Sequence, residues 1–155
     1  MPFILCMVHA GILEETKVKP KHTILMFAVP KSDPLNPRMI LDFKPFTKKS
    51  NPPKFKLPNI TKLTNLATNK DYMVKLDLTN GFFHIKDPKT HVFGIKCKNK
   101  YFKIKALPQG LSVSPYIMQR VMNNAISTLL KDINVKIMIY LDDILLLGTS
   151  LVGKK

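Results

Sequence analysis

The chain has 155 residues, and 25 Lys+Arg against 10 Asp+Glu leave a formal net charge of +15. At 45% hydrophobic and 23% charged it has the composition of one globular domain or a piece of a larger one, which excludes wholesale disorder despite 12 Pro. Two cysteines, Cys6 and Cys97, exclude a disulfide scaffold, and no CxxC or Cys/His cluster signals zinc.

A pI near 9.9 points to a polyanionic partner, nucleic acid first and an acidic membrane surface second. Only Arg38 and Arg120 are arginine, so the positive field is almost all lysine. No segment reads as membrane-spanning, because the apolar run 137–147 is interrupted by Asp142 and Asp143 and is too short. The apolar start MPFILCMVHA lacks the cationic lead of a secretory signal, so an intracellular, unsecreted protein is expected, with that segment buried.

In chain order, residues 10–15 read as the close of a short helix, and 23–29 as an extended apolar run. The Pro/Asn/Asp-rich stretch 30–37 is a turn, and 38–43 resumes a strand, which together predict a β-hairpin with a basic tip. Residues 44–58, rich in Pro and Lys, form an exposed connection, and Ile60, Leu63 and Leu66 predict a short helix. Residues 73–78 alternate, with Val74, Leu76 and Leu78 on one face of a strand and Lys75 and Asp77 on the other. Two strands near 93–95 and 101–104 flank a lysine-rich turn. Ser114 and Pro115 open a helix that runs towards Lys131. The apolar runs 135–140 and 144–147 predict a hairpin with Leu141-Asp142-Asp143 at its tip. Strands and helices intersperse without a βαβ rhythm, so the fold class is α+β.

The adjacent acids in that apolar stretch are the most informative oddity of the sequence. Ionised carboxylates in a low-dielectric setting need a counter-charge, which a divalent metal supplies; an ordinary Asp turn is the alternative. Asp77 ends its own apolar strand, where it is either a cap or a third ligand. Two strands carrying these three acids side by side give a ligand set for a pair of Mg²⁺ ions about 4 Å apart, suited to in-line phosphoryl transfer. The histidines show no ligand spacing.

Three motifs in order, Asp77-Leu78-Thr79-Asn80-Gly81-Phe82-Phe83, Leu107-Pro108-Gln109-Gly110 with Ser114-Pro115, and Tyr140-Leu141-Asp142-Asp143, resemble the core motifs of reverse transcriptases. The hairpin from Phe27-Ala28-Val29-Pro30-Lys31 through Arg38-Met39-Ile40-Leu41-Asp42-Phe43 resembles that family's fingers hairpin. The likeness runs over residues 11–148 and is greatest to the retroviral and LTR-retroelement group, its foamy-virus branch in particular.

The resemblance implies a right-hand polymerase: fingers in residues 1–52 and 85–113, with the basic hairpin at 23–43, and a partial palm in 53–84 and 114–155. The palm would hold the Asp77 strand, the helix 114–131 and the Asp142-Asp143 hairpin, as an antiparallel sheet backed by helices. It implies Asp77 and Asp142 as the main ligands of two Mg²⁺ ions (Mn²⁺ a possible substitute), Asp143 as a supporting carboxylate, and the Leu78 backbone near metal and triphosphate. Phe82 would be the aromatic gate against a ribose 2′-hydroxyl, Gln109 and Gly110 would rest against the incoming nucleotide, and Lys31 and Arg38 would grip its triphosphate. On their own, Phe82 reads equally as core, Pro108-Gln109-Gly110 as a turn, and Lys31 as solvated charge. Asn80 stands where many family members have Asp, although the foamy-like pattern shares Asn.

The implied partners are a primed RNA or DNA template and a deoxynucleoside triphosphate, with no membrane, in the cytoplasm or a virus-like particle. Lys48, Lys49, Lys54, Lys56, Lys96, Lys98, Lys100, Lys103 and Lys105 would add salt-sensitive phosphate contacts. The primer grip, thumb and ribonuclease H regions of the family are not in the sequence, lost or carried on another chain. Positioning dominates this chemistry, so the isolated chain is expected to be weak or inactive. The rivals are a non-catalytic nucleic-acid-binding remnant and an unrelated small basic binder.

Overall fold

The computed structural model describes residues 2–30, 38–47, 53–68, 72–86, 88–129 and 135–148. They fall into two compact units, Met1–Pro52 with Asn80–Ser114, and Pro53–Thr79 with Pro115–Lys155.

The first unit opens with helix α1 (Pro2–His9), which buries Ile4 and Met7. Gly11, at φ +68, ends it, and the Gly11 and Ile12 N–H groups donate back to Val8 and Met7 carbonyls at 2.9 Å. The helix expected to close over 10–15 is therefore a strand, β1 (Leu13–Thr16). The sheet adds β2 (His22–Val29), β3 (Arg38–Asp42), β5 (Phe93–Cys97) and β6 (Lys100–Ile104) in the order β1-β6-β5-β2-β3. All neighbours are antiparallel except β2 and β5, which run parallel with Ile24 opposite Ile95. The predicted hairpin exists as the β2–β3 pair, with Val29 opposite Arg38; its basic tip lies outside the described residues.

Ile4, Met7, Leu13, Ile24, Leu41, Phe43, Ile95, Phe102, Ile104 and Leu111 form one apolar core. Phe93 meets Phe43 and Phe46 edge-on at 5.3 Å between ring centroids. Phe46 lies on the single-turn helix α2 (Lys44–Thr47), inside the stretch expected as plain connection. A second short turn, α4 (Gly81–His84), follows Asn80, whose φ of +56 suits Asn better than most residues.

The second unit holds helix α3 (Ile60–Leu66), capped by Asn59, whose Oδ1 accepts from the Lys62 N–H at 3.0 Å. Its sheet is antiparallel, in the order β4-β8-β7, from β4 (Tyr72–Asp77), β7 (Lys136–Tyr140) and β8 (Asp143–Gly148). Helix α5 (Ser114–Leu129) starts at the boundary between the units and buries Met118, Gln119 and Met122. The cap expected of Ser114 is not formed: its buried hydroxyl has no hydrogen-bond partner among the described residues. β4 is an edge strand and is exposed along its whole length, its Val74 and Leu76 face included. Among the described residues no helix is long and apolar enough to cross a membrane.

Candidate active site

Strand pairing sets the site. Residue by residue, β4 and β8 run from Tyr72 opposite Gly148 to Asp77 opposite Asp143. The Leu78 N–H extends the ladder by donating to the Asp142 carbonyl at 3.2 Å. The earlier acid and the twin acids therefore occupy one end of one sheet. Directly opposed residues share a face, and like charges there repel, so the Asp77–Asp143 pair calls for a cation.

Lys75 supplies one. Two residues back from Asp77 on the same face, its Nζ lies 2.9 Å from the Asp143 Oδ1. The hydrogen-bonded Asp143 carboxylate first, and then the charges of Asp77 and Asp142, hold the Lys75 ammonium above the ordinary lysine value. The sequence placed both twin acids at the hairpin tip, within apolar neighbours that would bury them. Instead the two-residue turn is Leu141-Asp142, and Asp143 already belongs to β8, opposite Tyr140. Both acids are half-exposed and Asp77 is exposed, because they stand where the strands end.

Leu141 has φ +55, and within this turn it alone is positive. That is the sense of a II′ hairpin turn, where glycine is preferred at the first central position. A leucine there costs about 1–2 kcal/mol and needs outside support. Gln119 gives it, an anchor that sequence reasoning missed. Its Oε1 accepts from the Leu141 N–H at 2.9 Å, and its Nε2 donates to the Ile139 carbonyl at 2.9 Å. The available signal was a polar residue beside Met118 and Met122 on the apolar stripe of a helix.

The other expected site residues belong to the first unit. Phe82, on α4, is 8% exposed. Gln109 and Gly110 form an exposed turn, and Gly110 has φ +91. A Cβ on Gly110 would approach the Leu41 carbonyl oxygen to 3.1 Å, so glycine is required for backbone reasons alone. The two also line a cavity of about 220 Å³ with Met7, Met26, Met39 and Phe83. Arg38 is the first residue of β3, while Lys31 lies outside the described residues. Of the lysines expected to meet phosphate, two of the described ones are held in ion pairs. Lys100 pairs with Glu15 at 2.8 Å, and Lys105 pairs with Glu14 at 2.7 Å, which lowers the Glu14 pKa. Lys48 and Lys49 lie outside the described residues.

The donor set at the sheet end is hard oxygen throughout, which suits Mg²⁺. Among the described residues no three His, Cys, Asp or Glu side chains gather closely enough to hold an ion by themselves. The expected three-acid ligand set is therefore not gathered here, and Asp143 is instead engaged by Lys75 at 2.9 Å.

Comparison with known proteins bears on the same elements. The chain is 28% identical over 116 residues to the retrovirus-related Pol polyprotein from transposon 297 of Drosophila melanogaster, covering 74% of this chain and 11% of that one. It is 31% identical over 117 residues to a putative enzymatic polyprotein of Cassava vein mosaic virus, covering 74% of this chain and 17% of the other. Among solved structures, the foamy viral protease-reverse transcriptase in complex with dsDNA superimposes with a TM-score of 0.74 at 26% identity. That match covers 93% of this chain and 29% of the foamy viral chain. A family model described as reverse transcriptase (RNA-dependent DNA polymerase) matches residues 29–152, well over half of the sequence. The chain belongs to the reverse transcriptase family.

Proposed function

We propose that this chain forms the fingers and partial palm of an RNA-directed DNA polymerase that adds deoxynucleotides to a primer 3′-hydroxyl on an RNA or DNA template. Residues 1–52 and 85–113 are the fingers in this reading, and 53–84 and 114–155 the palm. The observation that carries it is the register of Asp77 against Asp143, with the Leu78 N–H on the Asp142 carbonyl.

Asp77 and Asp142 would hold two Mg²⁺ ions, with the Leu78 carbonyl as a further oxygen donor. Ions bound there would supply Lewis-acid activation and charge neutralisation for phosphoryl transfer. Asp143 adds negative potential from beside the pair, and Lys75 keeps its carboxylate charge-balanced. Phe82, Gln109, Gly110, Lys31 and Arg38 are assigned to the nucleotide on motif match alone: Phe82 against the 2′-hydroxyl, the cations on the triphosphate. The work is done in the cytoplasm or in a virus-like particle.

Primer extension by the full chain tests this. With Mg²⁺, an annealed primer-template and deoxynucleoside triphosphates, incorporation above a metal-free control is the expected result, even if slow. Salt-dependent binding of the primer-template without incorporation at any Mg²⁺ or Mn²⁺ concentration would assign a binding remnant instead. Neither binding nor incorporation would overturn the reading altogether.

A further inference from the structure

The Leu141-Asp142 turn is held from outside its own hairpin. In a two-residue hairpin the flanking residues, here Tyr140 and Asp143, pair with each other. The polar backbone groups of Ile139 and Leu141 then point to the outer edge of β7, which no strand among the described residues covers in the order β4-β8-β7. The Gln119 side chain meets both. Its amide presents one acceptor and one donor in a plane, as a neighbouring strand's peptide group would, to the Leu141 N–H and the Ile139 carbonyl. A third bond, Nε2 to Asn123 Oδ1 at 3.0 Å one helical turn further on, orients the amide. Gln119 is only 6% exposed, so water does not compete well for these groups.

We propose that Gln119 is a positioning residue: it stabilises Leu141 at positive φ and thereby fixes the direction in which Asp142 leaves the turn. The proposal rests on the reading of Asp77 and Asp142 as metal-binding acids, because that is what makes the direction consequential. Leucine gains by relaxing to negative φ, and such a change rotates the next peptide and the acid attached to it. The clamp opposes that relaxation. Few other side chains replace it. Glutamate keeps an acceptor for Leu141 but sets a second acceptor against the Ile139 carbonyl, and methionine fills the space with neither.

The test uses the full chain, with Mn²⁺ alone as the probe. Gln119→Met is expected to weaken Mn²⁺ binding, read by electron paramagnetic resonance titration, by about tenfold or more. The Leu141 amide, followed by selective ¹⁵N-leucine labelling, should lose its hydrogen-exchange protection. The decisive arm adds Leu141→Gly. Glycine reaches positive φ without steric cost, so the double variant should recover Mn²⁺ affinity to within about threefold of the unmodified chain. A residue that merely fills space would not be rescued by a glycine in the turn it touches. Unchanged Leu141 protection in Gln119→Met, or no recovery in the double variant, would overturn the proposal. If Gln119→Met does not fold, Gln119→Glu carries the same expectation. A chain whose wild-type form binds no Mn²⁺ refutes the metal reading separately, and Leu141 protection then decides whether the clamp exists.

Discussion

The two units solve the problem of holding a shape in different ways. The five-stranded unit closes a continuous core of ten buried apolar residues beneath an aromatic cluster. In the three-stranded unit, the strand that carries Asp77 is exposed from end to end, and Met73 on it is 63% accessible. Its acids owe their arrangement to register, one ion pair and the three hydrogen bonds of Gln119, beside a smaller core that includes Ile144 and Leu147. Stability and candidate chemistry are thus divided between the units, and substitutions should separate them.

The largest separation is expected from Asp142→Asn. In any form of the protein that extends primers, incorporation should drop by at least about 10³-fold, on the scale of losing a principal charge-stabilising group. The thermal midpoint should barely move, because the side chain is half-exposed. Substantial retained activity would remove Asp142 from the ligand set. Gly94→Ala is expected to do the reverse. Its new Cβ would collide with the Phe102 carbonyl oxygen and the Pro20 ring, costing about 1–3 kcal/mol in urea unfolding while Mn²⁺ binding stays unchanged. Unaltered unfolding would show that the five-stranded sheet yields more easily than its packing implies.

Phe82→Val probes the one residue assigned to both tasks, since it is buried in the packed unit and proposed to meet the sugar. Discrimination against ribonucleotides should relax by about 10- to 200-fold, measured as the ratio of kcat/KM values for the two sugars. An unchanged ratio would leave Phe82 as core alone. The smallest effect belongs to Lys75→Met. The raised lysine pKa means that the pair stabilises fully below the ordinary value of 10.5 and fades as pH climbs through the raised one. Wild type should therefore lead the variant slightly in thermal midpoint at neutral pH, and the gap should close above that value. Removing the competing ammonium should also modestly tighten Mn²⁺ binding, and weaker binding would contradict its balancing role.

Much of this was legible in the sequence, and the misses have definite causes. The hairpins and α3 were visible because alternation, three-residue apolar spacing and Asn59 are local signals. β1 was misread because Leu13-Glu14-Glu15 has helical propensity. Its strand is secured by a distant partner, the β6 ladder from Leu13 opposite Ile104 to Thr16 opposite Tyr101, which no local window contains. The alternation of β4 marks the two faces of a strand but not what covers them, so its exposure on both could not be read locally. At the site, the three acids could be read in order from their motifs, but the Lys75 pairing and the positive φ of Leu141 depend on register and turn geometry. Gln119 stayed hidden because a polar residue on a helix reads by default as facing water.

The parallel contact between β2 and β5 has a consequence for how the molecule is made. Ile24 cannot meet Ile95, nor Leu13 meet Ile104, until the ribosome has delivered the second half of the chain. At about 5–20 residues per second, the opening strands wait several seconds for their partners, with the β2–β3 hairpin a local pairing open to them meanwhile. The exposed β4 edge emerges during that interval. The nascent chain therefore passes through a window in which unpaired apolar strands invite chaperones or misassembly, and faster synthesis of the middle segment would shorten it.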